Sequence, residues 1–153
     1  MADVKKALAM QFEVKDMGEL HYFLGVKIVQ DHQNGMGWIG QPAYTDSMLH
    51  KYGMVDAKPV TTPVESSSKL IKTTEECETV DQVLYQSAVG TLLYLSVGTR
   101  PDITFAVSNV AKYCAKPNKQ HWVAVKRILI YLRGTLNFGI LCSNNGSKEC
   151  IGY

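Results

Sequence analysis

The chain holds 153 residues, 46% hydrophobic and 20% charged, the make-up of a globular chain with room for one modest core. Its formal net charge of +2 conceals an asymmetry: residues 1–84 carry 8 Lys against 12 Asp and Glu, whereas residues 85–153 carry 8 Lys and Arg against 2. A basic half suits a polyanionic partner, because clustered cations release condensed counterions from phosphates, although a Lys-rich solvated surface has the same composition. No apolar run approaches the ~18 residues of a membrane span, and Asp3, Lys5 and Lys6 interrupt any signal-like core, so no membrane is expected and the compartment is cytoplasmic or nuclear. Cys77, Cys114, Cys142 and Cys150 show no C-x-x-C spacing, which argues against a zinc site and for reduced thiols. Whether Cys142 meets Cys150 depends on the length of the turn at Asn144-Asn145-Gly146 and stays open.

Residues 2–12 suit a short helix with Val4, Leu8 and Phe12 on one stripe, broken at Met17-Gly18. Leu20 to Gln30 is rich in aromatic and β-branched residues and predicts a strand, in which Gly25 marks a bulge or a close backbone approach. Asn34-Gly35 turns the chain into a returning strand, Met36 to Gln41. A helix follows over Pro42 to Tyr52, closed by Gly53. Residues 54–80 hold few apolar side chains and several Pro, Ser and Glu, which predicts a mobile linker. Helices then occupy about 82–98, 101–115 and 118–133, the second opened by Pro101 with Asp102 beside the positive helix end. Asn118 caps the third, which ends at Gly134, and a hairpin over about 138–142 and 148–153 closes the chain.

On a helical wheel, Trp122, Ala124, Val125, Ile128, Leu129, Tyr131 and Leu132 share one half of the last helix. Lys126, Arg127 and Arg133 share the other, with Val123 and Ile130 among them. Lys112, Lys116 and Lys119 cluster just before this helix, and residues 103–148 contain no Asp or Glu. These six cations are the candidate phosphate contacts. His21, His32, His50 and His121 have no i, i+4 pairing and read as surface or half-buried residues rather than metal ligands. No nucleophile signature or Gly-rich phosphate loop is present, so no catalytic and no metal residue is assigned.

The segments FEVKDMGELHYFLGVKI, IGQPAYTDSMLHKYGM, AKPVTTPV, YQSAVGTLLYL, TRPDITFAV and HWVAVKRILIYLRGT, in that order, resemble the end of the polymerase region of copia-type retrotransposon Pol polyproteins over nearly the whole chain. The resemblance implies that HYFLGVKI is a primer-grip hairpin, with Tyr22 or Phe23 packing beneath a primer sugar and Gly25 permitting close approach. Ile130 departs from it, standing where relatives are commonly basic. In the intact family, carboxylates including a Tyr-x-Asp-Asp turn hold Mg²⁺ for polymerisation. This chain has no Asp-Asp pair, and Cys150-Ile151-Gly152-Tyr153 looks like the start of an RNase H strand.

The resulting expectation is an α+β fold. It comprises a palm-derived segment with the hairpin (1–53), a linker (54–80), a three-helix thumb- or connection-like unit (81–135) and the start of a truncated RNase H-like segment (136–153). The expected function is that of a polymerase fragment, not an enzyme by itself and needing no cofactor. It would bind an RNA or DNA template–primer weakly and without sequence preference, and would associate with the remainder of Pol if that is present. The alternatives are a small protein-interaction module, since some oomycete secreted proteins resemble the same region, and a decayed reading frame.

Overall fold

The computed structural model describes residues 2–15, 17–65, 70–74 and 77–143. Helix α1 (Ala2–Gln11) leads in, and its stripe of Val4, Leu8 and Phe12 stays exposed. The single strand that composition predicts over Leu20 to Gln30 is instead a hairpin of β1 (Tyr22–Phe23) and β2 (Val26–Asp31), as the resemblance over HYFLGVKI implies. Phe23 faces Val26 across a two-residue turn in which Leu24 has φ 48 and Gly25 φ 80. Positive φ at both positions matches the right-handed twist of the flanking strands, so Gly25 serves a turn rather than a bulge. A Cβ added to Gly25 would meet nothing within 4 Å, so no other described segment of the chain packs closely on its backbone.

β3 (Met36–Gly40) returns antiparallel to β2, in register from Asp31↔Met36 to Lys27↔Gly40. The connecting turn is braced by Asp31 Oδ1, which accepts from the Gln33 and Asn34 backbone N–H groups, each at 3.1 Å. The fourth strand, β4 (Ile140–Ser143), was expected to fold back locally on 148–153, which lie outside the described residues. It pairs with β3, from Met36↔Ser143 to Ile39↔Ile140. Among the described residues the sheet order is β1-β2-β3-β4, so residues 140–143 and the N-terminal hairpin share one sheet. Gly139 permits this docking, since a Cβ there would run into the Ile39 carbonyl oxygen and the Trp38 indole.

The helical part comprises α2 (Pro42–Lys51), α3 (Gln82–Gly98), α4 (Thr104–Ala111) and α5 (Lys119–Gly134), with a 3₁₀ turn at Pro101–Ile103 leading into α4. The expected 101–115 helix is therefore shorter at both ends. Met48, Leu49, Tyr85, Leu92, Leu95, Ile103, Val107, Val125, Ile128, Leu129 and Leu132 form the centre of one core, each 2% exposed or less. Burying each large aliphatic side chain contributes about 1.5–3 kcal/mol, so this cluster dominates the stability of the fold. Asp81 caps α3 by accepting from Leu84 N–H at 3.0 Å, and Gly53 (φ 66) ends α2.

For the described part of 54–80 the expectation of a mobile linker needs correction. Met54, Val55, Val60, Val64 and Leu70 pack against the core. Few apolar side chains suffice because donors from the helices take the segment's carbonyls: Arg133 Nε donates to Val55 O at 2.7 Å and Tyr113 Oη to Leu70 O at 3.0 Å. Among the described residues no helix is long and apolar enough to cross a membrane.

Candidate nucleic-acid interface

The connection from α4 to α5 carries Lys112, Lys116 and Lys119, all exposed. Pro117 and Asn118 are buried beneath it and fix its path. Asn118 Oδ1 accepts from His121 N–H at 3.1 Å while the Asn118 N–H donates to His121 Nδ1 at 3.1 Å, a reciprocal cap on α5. His121 is fully buried, contrary to the surface or half-buried role expected of it. Its ring stacks on Tyr113 with centroids 3.9 Å apart, and Nε2 lies 2.8 Å from Ile71 O. Because Nδ1 accepts, Nε2 carries the proton and donates to that carbonyl. Burial holds the imidazole below its usual titration range, outweighing the bond to Ile71.

The six candidate cations divide into two groups. Lys112 donates to Asn109 Oδ1 at 3.3 Å and Lys116 stands out to solvent on the turn. Lys119 forms an ion pair with Glu78 at 2.8 Å. Further along α5, Lys126 is half-buried, and the two arginines turn towards the chain itself. Arg127 Nη2 donates to Thr62 Oγ1 at 3.1 Å and Arg133 Nε to Val55 O. The wheel identified the polar side of α5 but could not show that residues 54–65 cover part of it.

Tyr22, Phe23 and Gly25 form the tip of the β1–β2 hairpin, where Tyr22 is 61% and Phe23 58% exposed. Helix α3 joins this tip to the lysine turn. Tyr94 Oη donates to Leu24 O at 3.3 Å, whereas Gln86 Nε2 donates to Cys114 O at 2.9 Å. Eight residues of helix separate the two anchors, a rise of about 12 Å and an offset of about 80° around the axis. Helix α3 carries no charged residue, so the surface between tip and turn repels no phosphate.

A third cluster escaped the sequence reading. Arg100 is 2% exposed; its Nε and Nη2 engage Asp102 at 2.9 and 2.7 Å, and its Nη1 and Nη2 donate to Thr135 O and Oγ1 at 2.9 and 2.6 Å. Tyr131 Oη donates to Asp102 Oδ2 at 2.9 Å. Burial pushes the Asp102 carboxyl up, but the Arg100 guanidinium and the Tyr131 hydroxyl outweigh it and hold the group below the usual carboxylate range. Asp102, expected as a helix-dipole partner, is chiefly an ion-pair partner that ties the start of α4 to the end of α5. A signal was present in the sequence, an Arg beside a Pro-Asp helix start, but nothing in it announced that the arginine is buried.

Residues 1–66 match the reverse transcriptase (RNA-dependent DNA polymerase) family. Over its full length the chain is 40% identical to the retrovirus-related Pol polyprotein from transposon TNT 1-94 of Nicotiana tabacum. The chain belongs to the reverse transcriptase family of copia-type transposon Pol polyproteins. It spans 12% of the tobacco polyprotein's length. Shorter relatives exist too. The chain is 36% identical, over 90% of its length, to an uncharacterized mitochondrial protein of Arabidopsis thaliana, of which it covers 55%. It is 41% identical, over 46% of its length, to secreted RxLR effector protein 161 of Plasmopara viticola, of which the matched part covers 50%. No solved structure matches the chain.

Proposed function

We propose that the chain is a substrate-holding piece of a copia-type reverse transcriptase that binds a nucleic-acid duplex weakly and without sequence preference. The observation that supports this reading is the placement of the exposed hairpin tip and the lysine turn at two anchors on one uncharged helix. Lys112, Lys116 and Lys119 contact phosphates, Lys126 extends the surface, and Tyr22 and Phe23 meet the sugar–base edge with Gly25 shaping the turn. Arg127 and Arg133 contribute field while chiefly anchoring residues 54–65. With about four cations on phosphates, log affinity falls against log salt with a slope of roughly −3 to −4. Fluorescence anisotropy with a labelled RNA–DNA hybrid, from low to moderate salt, measures that slope, and Lys112→Ala with Lys116→Ala flattens it by up to ~2. Salt-independent affinity, or none at low salt, rejects the reading.

Catalysis is assigned to the intact parent, where Mg²⁺ would be held by carboxylates outside this chain. Three of the described acids are committed locally: Asp31 braces a turn, Asp81 caps α3 and Asp102 pairs with Arg100. Among the described residues no group of three or more His, Cys, Asp or Glu is placed to hold a metal ion. The purified chain with a primed template or a hybrid and Mg²⁺ should show no turnover above a blank, and turnover abolished by Asp102→Asn refutes this.

A protein-interaction role is the second reading, favoured by Val83, Val97 and Phe105, which are 75%, 84% and 74% exposed on α3 and α4. Failure to bind any duplex at low salt, with an intact fold, would move the balance to it.

A further inference from the structure

The lysine turn does not stand clear of the chain. Residues 70–74 and 77–80 run across it, fastened at both ends. On one side Tyr113 Oη holds Leu70 O, His121 Nε2–H holds Ile71 O, and Thr73 Oγ1 donates to Lys116 O at 2.7 Å. On the other, Thr79 bridges to Asn118, and Lys119 N–H donates to Glu78 O at 3.0 Å. The crossing thereby occupies one backbone donor at the N-terminus of α5, a position otherwise suited to a phosphate. It also delivers a carboxylate. Residues 103–148 supply no acid of their own, and among the described ion pairs the partner of Lys119 is Glu78.

We infer that this crossing segment is an intramolecular competitor of nucleic acid, with the Glu78 carboxylate occupying on Lys119 the position a backbone phosphate takes when a duplex binds. The inference rests on the nucleic-acid reading above and adds to it a built-in restraint on affinity. Both partners are about two-thirds exposed, the Lys119 side chain 67% and the Glu78 side chain 69%. A solvent-exposed pair of this kind is weak, so a polyanion displaces it, and its presence lowers duplex affinity only several-fold. The Lys119 N–H bond to Glu78 O and the Thr79–Asn118 bridge keep the carboxylate beside Lys119 between binding events.

The test measures hybrid binding by the full chain against salt for the parent, Glu78→Gln, Lys119→Ala, the double variant and the remote control Asp46→Asn, with thermal unfolding to verify each fold. Glu78→Gln should bind about two- to fivefold tighter at each salt concentration. In the Lys119→Ala background the same substitution should have little effect, since the competing pair is already gone. Equal gains from Glu78→Gln and Asp46→Asn, or an undiminished gain in the Lys119→Ala background, would show a general charge effect and overturn the inference while leaving duplex binding intact. If neither the parent nor Glu78→Gln binds at low salt, the nucleic-acid reading fails and the competitor with it.

Discussion

Replacing Asp102 by Asn isolates what the buried cation Arg100 requires. The substitution keeps the shape of the side chain and one carbonyl acceptor but removes the charge facing a guanidinium that is 2% exposed. Breaking a fully buried ion pair from one side costs about 3–5 kcal/mol, because the remaining charge is stranded away from water. Here the Asp102 side chain is 33% exposed and Arg100 keeps two bonds to Thr135, so solvent and those acceptors offset part of the loss. The expected cost is about 2–3 kcal/mol. For a chain of this size that corresponds to a fall in Tm of about 5–10 °C. Urea unfolding followed by circular dichroism reads the change, with Asp46→Asn as an exposed control expected to move stability by less than ~0.5 kcal/mol. The folded carboxyl titrates below its usual value, so its contribution is complete above about pH 4 and is lost as pH falls through the folded value. Asp102→Asn should lack that acid-linked loss. A variant within about 0.5 kcal/mol of the parent, with an unchanged acid limb, would mean that Arg100 does not depend on this carboxylate.

His121 gives a second pH dependence. Its folded titration lies below the usual range, so the contribution of the neutral ring is full above about pH 6.5 and is lost as pH falls below it. Tm should therefore drop between about pH 7 and pH 5 in the parent, and His121→Gln should flatten that interval; an identical slope in both would refute the buried-imidazole account. Leu24→Gly relieves a positive-φ cost of about 1–2 kcal/mol, partly offset by glycine's greater unfolded freedom, at a side chain 77% exposed. A small net gain in Tm is expected, and a loss above ~1 kcal/mol would show that Leu24 packs. Gly139→Ala forces a methyl group against Ile39 O and the Trp38 ring. It should cost about 1–3 kcal/mol, and hydrogen exchange should show loss of protection at Gly37 and Ile39; unchanged protection would mean β4 tolerates the added group.

Periodicity and capping made most of the helical part legible. The apolar side of α5, the Asn118 cap and the Gly53 and Gly134 stops each depend on residues close by in sequence, and local physics decides them. The sheet was less readable, because its register depends on partners far away in sequence. Nothing within Ile140–Ser143 indicates that it will join Met36–Gly40, about 100 residues earlier in the chain. The Leu24-Gly25 turn was masked by its first residue, since Leu rarely adopts a positive φ and the usual Asn-Gly or Asp-Gly signal is missing. At the candidate site the lysines of the turn were visible as a charge cluster, whereas the commitment of Arg127 and Arg133 to residues 55 and 62 was not. A helical wheel reports which side is polar; it has no information about which distant segment comes to lie on it.

The pairing of β4 with β3 also sets an order of assembly. The two strands are separated by about 100 residues, and closing a flexible loop of that length costs about 4 kcal/mol in chain entropy. The helices between them must therefore come together first and shorten the effective loop. On a ribosome adding about 5–20 residues per second, β3 leaves its outer edge without hydrogen-bond partners for about 5–20 s before Ile140 is made. An open strand edge is a template for pairing with other chains. The nascent protein thus passes through a window in which its hazard is intermolecular, and the arrival of Leu141 opposite Trp38 and Cys142 opposite Gly37 closes it.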